Sequence, residues 1–344
     1  MRLFTSGKLC YNGHRRNQSV GIIDTLSTAF DRVTKRPWLA LVPLLLNIAT
    51  WIGPKLSIRE LTTQLLLALP SAPDLGSQYE QSIEILTDWL TEIGKQANLL
   101  SVLSMPALGL PSLTPTSPPP VSLLGATQGL IEIRTWPAFF GLVALFAALG
   151  LLLGCFCLSL VAQEARDEDL DWAYVLAVTW RSWVRLTALS LLVLIALGTA
   201  SMGISIAAGL IMTLSPGFAW LVMNLVSLVM MWVLVNAAII FYFAPRAIIL
   251  DDTGILRALW SSINVVRRSL LPTIGFILLI NILQTGLMYI WRALAVTAAG
   301  TLVGMAGNAY IGVGLALASF VFYRDRFVSW QQAIAEVKTS ERQE

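Results

Sequence analysis

Five strongly apolar, proline-poor stretches of this chain run for 20 residues or more without a single Asp, Glu, Lys or Arg: 137–161, 186–213, 218–243, 272–291 and 301–323. An α-helix of about 20 apolar residues matches the roughly 30 Å hydrocarbon core of a bilayer. In that solvent only helices and closed barrels satisfy their own backbone hydrogen bonds. These runs have no period-2 alternation of polar and apolar residues, so a barrel is ruled out. A sixth apolar run, 38–53, is shorter and follows Pro37. About 16 residues reach only about 24 Å, so it spans if it extends at one end or if the bilayer thins. The expected fold class is all-α, a polytopic transmembrane helix bundle of about six spans.

Composition supports this class. Only 12% of residues are charged and 56% are hydrophobic, whereas a soluble domain carries about a quarter charged residues. The three cysteines offer no cluster for a metal, because Cys155 and Cys157 lie two apart inside an apolar run and Cys10 sits in the N-terminal tail. All three read as free thiols. Arg15-Arg16 is not followed directly by an apolar segment, which argues against a twin-arginine leader.

Charge gathers between the runs and falls unevenly. With six spans, the N-terminal tail, 162–185, 244–271 and the C-terminal tail share one side and hold 18 of the 23 Lys and Arg. The other side holds Lys55, Arg59, Lys95, Arg134 and Arg292. The positive-inside rule places both termini in the cytoplasm. Three segments on that side have helical apolar spacing beside basic residues: 21–36, 172–185 and 255–270. They read as interfacial amphipathic helices on a leaflet whose anionic lipid attracts Arg and Lys.

The expected organisation is a basic tail and amphipathic helix (1–36), a short first span (37–53), an extracytoplasmic insert (54–135), a five-span membrane domain (136–323) and a cytoplasmic tail (324–344). Within the insert, Leu75, Tyr79, Ile83, Leu86, Leu90, Ile93, Ala97 and Leu100 step by three and four, which predicts one long helix with an apolar stripe. A shorter helix precedes it at 58–69, and the prolines from Pro106 to Pro120 favour extended chain. In the membrane domain, Trp136-Pro137 marks the start of the second span, and Gly150 with Gly154 forms a small-xxx-small pair suited to close helix approach.

The segment 244–271 is expected to open extended through its β-branched residues and to break at Asp251-Asp252-Thr253-Gly254. A helix then follows, with Leu256, Leu259, Trp260, Ile263, Val266 and Leu270 toward lipid and Arg257, Ser261, Asn264, Arg267 and Arg268 toward headgroups. The run Pro245-Arg246-Ala247-Ile248-Ile249-Leu250-Asp251-Asp252, then Gly254, then Ala258-Leu259-Trp260-Ser261-Ser262 before Arg267-Arg268, resembles the membrane domain attached to some bacterial glycerophosphodiester phosphodiesterases. The likeness covers spans two to six. It implies a bacterial inner-membrane location and a membrane module whose catalytic barrel is absent, so the barrel's chemistry does not carry over.

Catalytic chemistry is not legible. The single histidine, His14, lies in the basic tail, and no zinc-protease, nucleophile-elbow or phosphate-loop motif occurs. No cofactor or metal is expected. Two groups of residues are candidates for function. Arg181, Arg185, Arg257, Arg267 and Arg268 suit lipid headgroups or a protein partner. Asn224, Asn236, Asn281, Gln284, Arg292 and Asn308 would line a transport cavity if they converged, or else make interhelical hydrogen bonds. The sequence thus predicts a non-enzymatic membrane module that scaffolds or regulates a partner or binds lipid, with a carrier for a small or lipidic solute as the alternative. Its expected partners are membrane lipids and a protein partner or second copy, and not nucleic acid.

Overall fold

The computed structural model describes residues 21–68, 80–104, 129–166 and 170–340. Its helices are α1 (Ile22–Lys35), α2 (Leu41–Ile52), α3 (Arg59–Ala68), α4 (Glu80–Gln96), α5 (Trp136–Ala165), α6 (Trp172–Leu214), α7 (Pro216–Asp251), α8 (Ile255–Arg268), α9 (Leu270–Leu294) and α10 (Ala298–Ser340). Two short strands, β1 (Lys55–Ser57) and β2 (Leu130–Glu132), pair in parallel with Lys55 opposite Leu130. The fold is an all-α bundle, and α5, α6, α7, α9 and α10 are long and apolar enough to cross a membrane. The chain is a multi-pass membrane protein. The segment expected as the first span is a 3-10 turn (Pro37–Ala40) followed by the 12-residue α2.

The centre is α10. In its apolar window 72% of residues are buried, because α1, α2, α5, α7, α8 and α9 all pack on it. Phe276 of α9 stacks on Phe322 of α10 with centroids 4.3 Å apart, and Phe243 of α7 stacks on Phe322 and Tyr323. The glycines of α10 serve packing. A Cβ on Gly314 would stand 2.4 Å from the Phe30 ring, and one on Gly307 would stand 2.5 Å from the Trp291 ring. The apolar face predicted for α1 is present, with Ala29 and Val33 fully buried. It meets the protein core along α10.

Several expected boundaries disappear. Residues 172–185 and 186–213 form one helix of 43 residues, about 64 Å long at about 1.5 Å per residue. The segment beyond 323, expected as a separate tail, continues α10 to Ser340. Residues 244–250, expected as extended chain, are helical, and α7 runs through Pro245 to Asp251. Changes in side-chain polarity do not interrupt a helix whose backbone hydrogen bonds continue. The break itself falls where predicted: Asp252 takes a left-handed conformation, φ 47°, and ends α7.

The insert closes on itself, since β1 stands at its start and β2 at its end. The shorter helix predicted at 58–69 is α3. On α4 the stripe faces inward at Leu90, while Leu75, Tyr79 and the proline run lie outside the described residues. Leu56, Leu61, Leu99 and Ile133 form a small core against Phe139, Leu142, Val143 and Phe146 of α5. The Gly150 position admits the insert and not a second membrane helix: a Cβ there would stand 2.5 Å from the Leu103 carbonyl oxygen. Helix α5 starts at Trp136, as predicted.

Candidate functional site

Charged side chains from three connections and from α6 and α10 meet at one end of the bundle. Helix α5 ends at Ala165, where the Arg166 amide caps the Ala162 and Gln163 carbonyls and side chains serve the last ones. Arg32 of α1 donates to the Glu164 carbonyl at 2.9 Å, and Arg324 of α10 donates to the Ala165 carbonyl. Guanidinium groups there also complement the negative end of the helix dipole. Arg36 adds an ion pair with the Glu164 carboxylate at 2.8 Å. Asp171 caps the start of α6 by accepting from the Ala173 and Tyr174 amides, and Arg166 donates to the Tyr174 hydroxyl.

The end of α7 is held in the same way. Asp252 pairs with Arg185 at 2.6 Å and with Arg181 at 2.8 Å. Asp251 accepts from the Tyr323 hydroxyl at 3.0 Å. The two arginines assigned to headgroups on α6 therefore spend charge on Asp252. This ties α6 to the α7–α8 turn.

The remaining arginines of that group stay open. Arg257, Arg267 and Arg268 are exposed on α8. The faces of α8 differ from the prediction, however. Its buried side consists of Ala258, Ser261, Ser262, Val265 and Val266, so Ser261 faces protein and not headgroups, and Val266 faces protein and not lipid. Leu256 is 83% exposed and Trp260 is 62% exposed, on the same outer surface as the arginines. Small residues face α7 because the two helices pack closely, and Ser262 donates its hydroxyl to the Ile240 carbonyl.

The structure does not bring the amides together by any hydrogen bond between them among the described residues: Asn224 and Asn281 are exposed and Asn236 is half-buried, each donating to the carbonyl four residues earlier at 2.8 Å. Gln284 is half-buried, Arg292 is exposed in the last turn of α9, and Asn308 is buried in α10. Both buried cysteines, Cys155 and Cys157, are free thiols; Cys10 and His14 lie outside the described residues.

The sequence reading missed Arg246. Reading 244–250 as an extended segment outside the spans placed this arginine among the loop charges. Here it is 1% exposed, inside α7. Its Nε donates to Ser319 Oγ of α10 at 3.1 Å, its Nη1 donates to the Tyr242 carbonyl, and its Cζ lies 4.3 Å from the Tyr242 ring centroid. No carboxylate among the described residues forms an ion pair with it. The available signal was the spacing Tyr242 to Arg246, one helical turn, which lets ring and guanidinium meet only if the helix continues through Pro245.

The apolar windows of α6 and α7 lie outside the packed core that the charged-end halves of the same helices join. No residue of the apolar windows of these two helices is buried. Outward side chains include Leu194, Met202, Trp220, Leu228 and Trp232, together with Asn224, while Asn236 is half-buried.

No protein-family model, no curated protein and no solved structure matches the chain.

Proposed function

We propose that this protein is a non-enzymatic module of the bacterial inner membrane that holds a partner within the bilayer, with the α6–α7 hairpin as the docking element. The observation that carries this reading is the contrast between helices. The apolar window of α10 is 72% buried, while those of α6 and α7 have no buried residue. Lipid alone covers an apolar helix well, but it offers nothing to a carboxamide. Asn224 is exposed and Asn236 half-buried, and each donates its amide to a carbonyl of its own helix. An interhelical hydrogen bond from such an amide contributes about 0.6–2 kcal/mol in a membrane.

The charged end belongs on the cytoplasmic side in this proposal, with both termini, by the excess of Lys and Arg there. Arg257, Arg267 and Arg268 on α8 then meet anionic headgroups beside Leu256 and Trp260, an amphipathic arrangement suited to the interface. The resemblance to the membrane domain of glycerophosphodiester phosphodiesterases supports the same reading, since that domain accompanies a separate functional unit. The exposed Asn224 and Asn281 speak against the carrier alternative, which needs the amides around one cavity.

In-membrane photocross-linking tests the proposal. A probe replacing Trp232 or Leu228 should give an adduct of discrete mass, and probes at Tyr289 on α9 or Phe140 on α5 should give lipid adducts only. Lipid adducts alone at all four positions would refute it.

A further inference from the structure

We propose that Arg246 is the centre of a buried oxyanion site that takes a phosphate group, esterified in a lipid or free. A guanidinium carries five N–H donors, and among the described residues only the Ser319 hydroxyl and the Tyr242 carbonyl accept from this one. A charge removed from water without a counter-charge is costly, and buried charges are as a rule paired. The nearest acids along the helix are committed elsewhere: Asp251 accepts from Tyr323, and Asp252 pairs with Arg181 and Arg185.

A second observation concerns buried hydroxyls in the half of the bundle that carries the charged end. Ser159, Thr179 and Ser182 are 4%, 5% and 0% exposed, and their hydroxyls have no hydrogen-bond partner. A helical serine or threonine ordinarily back-bonds to its own helix. In the outer half of α6, Thr199, Ser201, Ser205 and Thr213 all do so. The three buried hydroxyls differ from these, and they are donors to spare.

Chain contacts place Arg246, Ser319 and Ser159 at a similar depth, with Thr179 and Ser182 on the side of the charged end. Arg246 and Ser319 bond directly, five residues inside Asp251 and Arg324 respectively. Ser159 is six residues inside Ala165, whose carbonyl Arg324 caps. Thr179 and Ser182 lie on α6 beside Arg181 and Arg185, whose partner Asp252 ends α7, so they stand nearer the charged end. At about 1.5 Å per residue Arg246, Ser319 and Ser159 lie about 8–9 Å inside that end. That is the depth at which lipid phosphates give way to acyl chains. A guanidinium with free N–H groups and several hydroxyl donors suits a tetrahedral oxyanion, which offers more acceptor oxygens than a carboxylate. This inference does not rest on the docking role of the hairpin.

The test measures phosphorus on the full chain after exhaustive detergent washing, with native mass spectrometry, before and after adding phosphatidylglycerol vesicles or inorganic phosphate. Wild type should carry about one phosphorus-containing adduct per chain, and Arg246→Gln should weaken binding by about tenfold or more. An adduct of phospholipid mass identifies the source as lipid, and one of phosphate mass identifies the free anion. The pair Arg267→Gln with Arg268→Gln, on the exposed surface, should retain full occupancy. Should Arg246→Gln fail to accumulate, Thr179→Val and Ser182→Ala decide in its place, each with an expected several-fold loss. Wild type without phosphorus under both additions overturns the proposal. So does occupancy unchanged in Arg246→Gln or, where that variant does not accumulate, in both hydroxyl variants.

Discussion

Arg246 lays its guanidinium over the ring of Tyr242, one turn earlier on the same helix, with 4.3 Å between Cζ and the ring centroid. This pairing depends on a continuous α7, although Pro245 removes one backbone donor and leaves the Phe241 carbonyl without its helical partner. Side chains serve the carbonyls on either side: Ser262 donates to Ile240 and Arg246 donates to Tyr242. Such substitution is how membrane helices tolerate proline.

The ring face, and not its hydroxyl, makes this contact. Tyr242→Phe should therefore keep stability within about 0.5 kcal/mol, whereas Tyr242→Leu should lose about 2 kcal/mol, the worth of a desolvated cation–π contact. Reversible unfolding in mixed micelles measures the difference. Equal losses in the two variants would assign the effect to the hydroxyl.

Asp252 combines a left-handed backbone with two ion pairs, and three substitutions separate the contributions. Asp252→Asn and Asp252→Gly remove the pairs but tolerate φ 47°, whereas Asp252→Ala also meets the left-handed strain of about 1–2 kcal/mol. The pairs are partly exposed, with side-chain exposures of 46% and 27% for Arg181 and Arg185, so their loss should cost no more than about 1 kcal/mol. Alanine is expected to be the least stable of the three by about 1 kcal/mol in the same unfolding assay.

How much of this was legible follows from what each signal measures. Long uncharged runs identify membrane helices through composition alone, so α5, α6, α7, α9 and α10 could be read directly. Helix ends outside the runs were placed by charge, and charge does not end a helix. Thus 172–185 was detached from α6, and 244–250 from α7. The second error hid Arg246, because an arginine three residues past an apolar run reads as a loop charge until the helix is known to continue. The amphipathic period of α8 was visible, but periodicity cannot say whether lipid or protein covers a face. Ser261 turned inward because small residues admit a close neighbour. Asn224 and Asn236 are legible as polar residues within apolar runs, but only the packing shows the first exposed and the second half-buried.

Gly314 is where α1 docks on the central helix. A Cβ there would meet Phe30 at 2.4 Å. Gly314→Ala should destabilise by about 1–3 kcal/mol through overpacking. The double variant with Phe30→Leu should recover part of that loss, since contacting residues couple. Additive losses in the double variant would show that the two do not share this contact.

The most direct test of the proposed role is the particle mass of the protein extracted from membranes in native lipid discs without detergent, after subtraction of lipid. One chain is 37.6 kDa. The account predicts a protein mass above one chain for wild type, falling to that of a single chain when Asn224 and Asn236 are both replaced by Leu. A wild-type particle containing one chain of 37.6 kDa and no other protein would contradict it.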